Sequence, residues 1–336
     1  MLTLGIETSC DETAAAVLED GVNLRSNVIA SQHDIHSKYG GIVPELAGRS
    51  HIDKIHFIIR EALQQAEVSL DEIDLIAVTQ GPGLVGSLLV GLNTAKGLAY
   101  ATQKPMIGVN HLEGHLLAIF LQEPVEFPFV GLIVSGGHTD LYRVNGFGDY
   151  QVLGRSRDDA AGESFDKVAK MLGWGYPGGP IVEARAREGD ANAHAFPRAW
   201  LEKGSLDFSF SGLKTAVRTA IAKRGGSHGK GLSDADIAAG FQDAVVEVLI
   251  TKALMACEQQ GLKRLVLTGG VAANGYLRQR LREAAQPRNV TCHVPKPILC
   301  TDNAAMIACA GYFRFQHAPP EASELLRLDA HANFTV

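Results

Sequence analysis

The run Leu2-Thr3-Leu4-Gly5-Ile6-Glu7 and the run Ala14-Ala15-Ala16-Val17-Leu18 flank a polar turn at residues 8–13, and a third apolar run covers residues 22–31. Short apolar runs separated by turn residues are typical of β-strands. The sequence therefore predicts three antiparallel strands at the start of the chain. Alternating helices and strands follow: helix 44–66, strand 75–78, helix 87–102, strand 106–109 and a helix from His111.

The second half of the chain repeats this order of elements with negligible sequence identity. The repeat comprises strands 129–134, 139–144 and 150–154, helix 160–172, helix 234–260, strand 264–268, helix 273–285, strand 290–294 and helix 303–315. A duplicated unit of this kind predicts an α/β fold with two similar lobes, 1–127 and 128–336, and a ligand cleft between them. Residues 174–232 interrupt the second unit and are expected to form an insertion outside the sheet.

Composition limits the class of protein. A chain of 336 residues with 46% hydrophobic content is long enough for two lobes with separate cores. The five cysteines are odd in number and lack Cys-x-x-Cys spacing, which predicts a reducing cytoplasm rather than a disulfide framework. The N-terminus carries no basic leader segment and no apolar run is long enough for a membrane span, so we expect no membrane association.

The charge is unevenly distributed. The formal net charge of −6 taken alone disfavours a nucleic-acid partner, because phosphates bind clustered Lys and Arg. Residues 151–230, however, hold 13 Lys and Arg against 9 Asp and Glu, an excess of four positive charges. This segment could meet a polyanion, or it could form an ordinary solvated helical face.

His111 and His115 lie four residues apart in a predicted helix, so both imidazoles can bind one metal ion. A zinc peptidase of the His-Glu-x-x-His type has its acid directly after the first histidine, whereas the acid here is Glu113. Two histidines leave a metal site incomplete, and Asp302, reaching across the cleft from the second lobe, is the candidate third ligand. Any of residues 301–303 could equally cap the last helix.

Pairs of adjacent glycines follow two predicted strands that occupy equivalent positions in the repeat. They lie in Ser135-Gly136-Gly137-His138 and in Gly269-Gly270. Glycine leaves backbone N–H groups open to an anion, and the helix that follows Gly269-Gly270 adds its dipole. Together with the polar turn at residues 8–13, these turns predict phosphate and nucleoside contacts. The Gly-x-Gly-x-x-Gly pattern at residues 81–86 is interpreted as a tight turn, because no acid follows it in residues 87–112.

Six motifs taken together resemble those of the bacterial TsaD family over essentially the whole chain. They are Gly5-Ile-Glu-Thr-Ser-Cys-Asp-Glu-Thr13, Gly40-Gly-Ile-Val-Pro-Glu-Leu-Ala47, His111-Leu-Glu-Gly-His115, Val134-Ser-Gly-Gly-His-Thr139, Asp207-Phe-Ser-Phe-Ser-Gly-Leu-Lys214 and Gly269-Gly-Val-Ala-Ala-Asn274. The resemblance implies a duplicated two-lobe fold of the actin, Hsp70 and sugar-kinase type. It also implies transfer of a threonylcarbamoyl group from threonylcarbamoyl-AMP to N6 of adenosine 37, in tRNAs that read codons beginning with A.

The resemblance also implies roles for particular residues. His111, His115 and Asp302 would bind one divalent ion, iron or zinc, with iron preferred. Asp11 and Glu12 would lie near the reacting centre, where an acid could orient the adenine amine or take its proton. The nucleotide would be held by Ile133, Val134, Ser135, Gly136, Gly137, Asp166, Gly179, Glu183 and Asn274.

The family resemblance further implies tRNA as a partner, together with a TsaB-like paralogue docking on the first lobe and a TsaE-like ATPase. Two other classes of function stay open on the sequence. The histidine pair alone would suit a metallopeptidase, and the duplicated fold would suit a nucleotide-dependent regulatory ATPase. The turn Ile6-Glu7-Thr8-Ser9 replaces the Asp-x-Gly-Thr turn of the kinases, which argues against phosphoryl transfer.

Overall fold

The computed structural model describes residues 1–223, 231–320 and 327–334. Two of the cations in the basic segment, Arg224 and Lys230, lie outside the described residues. Among the described residues, every helix is too short or too polar to span a membrane.

The chain forms two compact units that do not follow its two halves. Unit 1 comprises Met1–Val125, Gly146–Asp149 and Pro295–Val336. Unit 2 comprises Glu126–Asn145 and Tyr150–Val294.

The ten strands of the described residues are short and mostly buried. They are β1 Leu2–Glu7, β2 Glu12–Glu19, β3 Asn23–Ser31, β4 Leu75–Gly81, β5 Met106–Asn110, β6 Phe129–Val134, β7 Thr139–Gly146, β8 Asp149–Arg155, β9 Arg264–Thr268 and β10 Thr291–His293.

The helices alternate with these strands. They are α1 His33–His36, α2 Pro44–Gln65, α3 Val85–Thr102, α4 His111–Leu117, α5 Ala161–Met171, α6 Gly178–Ala186, α7 Ser211–Lys223, α8 Asp234–Gln260, α9 Gly275–Ala285, α10 Pro297–Cys300 and α11 Ala304–His317.

The two units contain sheets of the same topology. The sheet of unit 1 has the order β3-β2-β1-β4-β5, and that of unit 2 has the corresponding order β8-β7-β6-β9-β10. In unit 1, β1 pairs antiparallel with β2 and parallel with β4. In unit 2, β6 pairs antiparallel with β7 and parallel with β9. The predicted α/β duplication is therefore confirmed.

The C-terminal helix α11 covers one face of the sheet in unit 1, where it shares a core with β4 and β5. Small residues allow a close approach: a Cβ on Gly5 would lie 2.2 Å from the carbonyl oxygen of Ala304, and one on Gly311 would lie 2.4 Å from Ala77 Cβ. Sequence order groups this helix with the second half of the chain. The structure groups Pro295–Val336 with unit 1 instead, because the apolar residues of α11 are buried against that sheet.

Helices α2 and α3 contribute to the second core of unit 1. Their apolar residues Ile55, Ile59, Leu92 and Ala95 pack in one cluster with residues of β1, β2 and β4. The spacing of Ile55 and Ile59 is the i, i+4 repeat that turns side chains to one helix face. The predicted helix over residues 44–66 is thus an amphipathic element that closes this core.

The described residues of the expected insertion, residues 174–232, form α6, α7 and loops. An irregular stretch between these helices is fixed by Lys252 of α8, which is almost fully buried. Its Nζ donates to the carbonyl oxygens of Trp200 at 3.2 Å, Ser205 at 3.0 Å and Asp207. A buried ammonium needs such acceptors, so this lysine anchors the loop to the body of unit 2.

Candidate functional site

Helix α4 carries both histidines and begins directly at the carboxyl end of β5. Asn110 caps it: Oδ1 accepts from the backbone N–H of Leu112 at 2.8 Å, while Nδ2 donates to the carbonyl oxygen of Phe334 at 3.0 Å. His111 and His115 are both buried, and their ring centroids lie 4.7 Å apart. The predicted spacing therefore brings the two imidazoles together.

Asp302 joins the histidines. Its Oδ1 lies 3.1 Å from Nε2 of His115 and 3.5 Å from Nε2 of His111. The cap of α11 is Asn303, whose Oδ1 accepts from the N–H of Met306 at 3.0 Å, so Asp302 is not used as a cap. His111, His115 and Asp302 all belong to unit 1. The expectation that Asp302 comes from the other lobe is wrong, because the segment that carries it folds with the sheet of unit 1.

The residues of this cluster fit a metal ion. One donor atom from each of His111, His115 and Asp302 lies within 4.8 Å of the others. Two imidazole nitrogens and one carboxylate oxygen form a ligand set suited to iron or zinc that leaves further positions open. Behind His111, the Glu7 carboxylate lies 3.0 Å from Nδ1, the arrangement that orients metal-binding histidines.

The same cluster has strongly shifted protonation equilibria. Burial lowers the pKa of His111, but Asp302 and Glu7 outweigh it and hold that pKa well above the ordinary value. Burial lowers the pKa of His115 below its ordinary value. Burial raises the pKa of Asp302, yet the two histidines hold it well below its usual range. Perturbed groups of this kind are typical of functional sites.

Asp11 and Glu12 lie at the turn between β1 and β2, in a second cluster with His33. Nε2 of His33 is 3.6 Å from Glu12 Oε1 and 3.9 Å from Asp11 Oδ2. Burial, followed by the charges of Asp11 and Asp302, raises the pKa of Glu12 to about 10. This direction favours the neutral carboxylic acid, which can donate a hydrogen bond, and Glu12 lies within electrostatic reach of Asp302.

In unit 2, β6 ends in the predicted glycine turn. Ile133 and Val134 are fully buried, so only their backbone could meet a ligand. Ser135 closes the turn by accepting from the N–H of His138 through Oγ at 3.1 Å. Gly136 and Gly137 are exposed, and a Cβ on either would meet no described atom within 4 Å. Their backbone is therefore accessible from solvent, as an anion site requires.

The other predicted nucleotide contacts lie on or beside helices of unit 2. Oδ1 of Asp166 accepts from the N–H of Gly178 at 2.7 Å, beside Gly179 at the start of α6. Asn274 caps α9 through Oδ1 and donates from Nδ2 to Gln242 at 2.9 Å. The Asn274 side chain thus has a structural function.

A cavity of about 460 Å³ opens beside the start of α9, a size in the range of small-molecule sites. Glu183 is the predicted contact that lines it, and its Oε1 accepts from the N–H of Gly275 at 3.1 Å. Sequence reasoning missed the other polar lining residues, which include Gln242, Tyr276 and Arg187. No sequence motif marks these residues, because they lie far apart in the chain: Arg187 follows α6, Gln242 belongs to α8 and Tyr276 belongs to α9.

Comparison with known proteins assigns a family. A sequence profile described as "TsaD: tRNA N6-adenosine threonylcarbamoyltransferase" matches residues 23–309. A protein of that name from Symbiobacterium thermophilum is 57% identical over 313 residues, which cover 93% of this chain and 91% of the relative. Another from Geobacter metallireducens is 52% identical over 334 residues, covering 99% of this chain and 97% of the relative.

Solved structures with low identity support the fold. HypF from T. kodakarensis superposes with a TM-score of 0.65 at 17% identity, over 97% of this chain and 49% of that one. The activator of the 2-hydroxyisocaproyl-CoA dehydratase from Clostridium difficile gives 0.55 at 13% identity, over 94% and 96%. These neighbours have the duplicated actin-like fold, which confirms the predicted fold class.

Proposed function

Because the chain belongs to the TsaD family of tRNA N6-adenosine threonylcarbamoyltransferases, we propose that it transfers a threonylcarbamoyl group from threonylcarbamoyl-AMP to N6 of adenosine 37 in tRNAs that read codons beginning with A. The chain is an acyltransferase of tRNA modification. The observation that carries the proposal is the family match over residues 23–309, which includes both histidines.

The metallopeptidase alternative is not favoured. The acid between the histidines, Glu113, is buried and pairs with Arg314 at 3.7 Å. It therefore lacks the position that the general base of a His-Glu-x-x-His peptidase occupies. The regulatory ATPase alternative gains no support from the relatives, whose printed name is that of a transferase.

The group of His111, His115 and Asp302 would hold the ion, which we propose to be iron. When bound, the ion supplies Lewis-acid polarisation of the carbonyl of the acyl donor. The protein's own residues fix where this happens: Asn110 holds the start of α4, and Asn303 holds the start of α11. Both caps lie next to a ligand, so the ligand positions are set by rigid helix ends.

Asp11 and Glu12 are proposed to manage the proton of the reaction. N6 of adenosine attacks the carbamoyl carbon, the bond from that carbon to the phosphate oxygen breaks, and AMP leaves with its electron pair. The proton released from N6 needs an acceptor, and Asp11 is suited to accept it. Glu12, with its pKa raised by burial and by Asp11, would donate a hydrogen bond rather than compete as the base.

Unit 2 is proposed to bind the nucleotide part of the donor. The exposed amides of Gly136 and Gly137 would meet the phosphate, as free backbone N–H groups do in other anion sites. Ile133, Val134 and Ser135 would contribute through the backbone that supports this turn. Asp166, Gly179, Glu183 and Asn274 would position the nucleoside, with Glu183 in the cavity beside α9.

We further propose that the protein works in the cytoplasm with a TsaB-like paralogue and a TsaE-like ATPase. The partner tRNA would meet the basic segment at residues 151–230, where Lys170, Arg185 and Arg218 are exposed. Salt dependence of tRNA binding would report how many phosphates this segment neutralises.

Depletion of this protein in its own cells tests the proposed reaction. Nucleoside mass spectrometry of bulk tRNA should show loss of threonylcarbamoyladenosine, restored by the wild-type chain and not by His111→Ala. An unchanged content of the modified nucleoside would refute the proposal. Cleavage of a protein substrate that stops in His111→Ala would favour the peptidase instead.

A further inference from the structure

We propose that Glu7 is a positioning residue of the metal centre, because its carboxylate holds the imidazole of His111 with Nε2 turned toward Asp302. Glu7 is the last residue of β1 and is fully buried. Its Oε2 lies 3.0 Å from Nδ1 of His111, on the ring nitrogen opposite to the one near Asp302. The inference rests on the metal centre of the proposed function.

The hydrogen bonds of Glu7 define which ring nitrogen of His111 can bind an ion. Oε1 accepts from the N–H of Ser9, and Oε2 accepts from Oγ1 of Thr79 at 2.6 Å. An ionised carboxylate accepts hydrogen bonds and donates none, so Nδ1 of His111 must carry a hydrogen. When an ion displaces the remaining ring proton, Nε2 presents its lone pair, so His111 would bind the ion through Nε2.

The second histidine lacks this support. Nδ1 of His115 is buried and has no hydrogen-bond partner among the residues that the structure describes. His115 is fully enclosed by packing, whereas His111 is slightly exposed and has an anionic partner. Orientation by a carboxylate therefore acts on one of the two histidines, and its loss should affect the metal site without removing a ligand.

Glu113 offers a matched control for Glu7. It is also a buried glutamate of unit 1, lies between the two histidines on α4, and pairs with Arg314 at 3.7 Å. Glu7→Gln and Glu113→Gln make the same chemical change, the replacement of a buried carboxylate by an amide. A general effect of that change on the fold should appear in both variants.

The experiment measures Zn²⁺ affinity of the purified proteins by competition with a chelator, together with the visible absorption of their Co²⁺ forms. Glu7→Gln should bind Zn²⁺ on the order of 10- to 100-fold more weakly, as expected for loss of a partner behind a metal-binding histidine. Its Co²⁺ absorption bands should shift, because the ligand ring is no longer held by an anion. Glu113→Gln should match the wild type in both measurements.

The outcomes separate this inference from the proposed function. If the wild type binds neither ion, the metal centre itself is refuted. If the wild type binds and Glu7→Gln has wild-type affinity and spectrum, only the role of Glu7 is refuted. Should Glu7→Gln fail to fold, Glu7→Asp decides: it keeps the negative charge but shortens the side chain and withdraws the carboxylate from Nδ1 of His111. It should weaken Zn²⁺ binding, and an unchanged Zn²⁺ affinity would overturn the inference.

Discussion

The two sheets share their strand order but end in turns of opposite chemistry. From the last residue of β1 to the first of β2, unit 1 carries the carboxyl groups of Glu7, Asp11 and Glu12, all buried or partly buried. After β6, unit 2 carries Gly136 and Gly137, whose backbone is exposed. Carboxylates and imidazoles bind cations, whereas free backbone N–H groups bind anions. The repeated scaffold is thus preserved, and we expect the residues at its strand ends to decide which charge each unit binds.

Removal of a metal ligand should have the largest effect, because it should abolish cation binding by unit 1 and leave anion binding by unit 2 intact. His115→Ala should lower metal affinity by more than about 100-fold, since two ligands do not complete a site. AMP binding, which we assign to unit 2, should stay within about twofold of the wild type. Metal analysis and titration calorimetry check the two expectations.

His51→Ala is the control for that variant. His51 is also a buried histidine of unit 1, with Nδ1 2.8 Å from Thr13 Oγ1 and Nε2 2.9 Å from the carbonyl oxygen of Cys10. It should keep the metal. Equal metal loss in both variants would mean that the centre depends on the fold of unit 1 in general rather than on its ligands.

An added negative charge at the glycine turn tests the anion site that we propose for unit 2. Gly137→Asp places a carboxylate in open space, so the fold should tolerate it, but like charges repel the phosphate. AMP affinity should fall by at least about tenfold while metal content stays unchanged. Gly212→Asp, at another exposed glycine of unit 2 with open space around it, should keep wild-type affinity; equal AMP binding in both variants would contradict the assignment.

The smallest expected effect is on stability and concerns Glu12. Its pKa in the folded protein, about 10, is above the ordinary value of 4.5, so the folded state keeps a proton that the unfolded state loses. This contribution to stability is complete below about pH 4.5 and is lost as the pH rises toward 10. Glu12→Gln should therefore gain a few degrees in Tm over the wild type between pH 5 and pH 9. If the Tm difference between the variant and the wild type were the same at every pH in that range, the result would contradict a neutral Glu12.

Much of the fold could be predicted because its signals are local. The apolar runs give β1 and β6 with the observed bounds, and the long helix Asp234–Gln260 and the strand Arg264–Thr268 begin and end where the sequence predicts. The placement of α11 was not predictable in this way. Its partner sheet is selected by fit between small residues far apart in the chain, such as Gly5 and Ala304, and that fit leaves no periodic pattern.

The candidate site, like the fold, could be predicted only where its signals are local in the sequence. The i, i+4 spacing of the histidines is a local signal, and the structure brings Asp302 to both of them. Glu7 was missed as a partner of His111, because one acid at the end of an apolar strand matches no metal motif. Its position was nevertheless a signal, since a charge in a buried strand requires a partner. The nucleotide contacts inferred from resemblance stay predictions, and the structure shows that Asn274 is engaged as a helix cap.

The distance along the chain between the ligands has a consequence for biosynthesis. Asp302 follows His115 by 187 residues, and the whole of unit 2 is encoded between unit 1's sheet and this ligand. During translation, the two histidines leave the ribosome long before the carboxylate that completes their site, and the last segment of unit 2 also precedes it. Domains generally fold as units during synthesis, so unit 2 can fold on the ribosome while unit 1 waits for its final helix. The proposed metal site can therefore be completed only after residue 302 has been synthesised, and a chain that terminates earlier would lack one of its three candidate ligands.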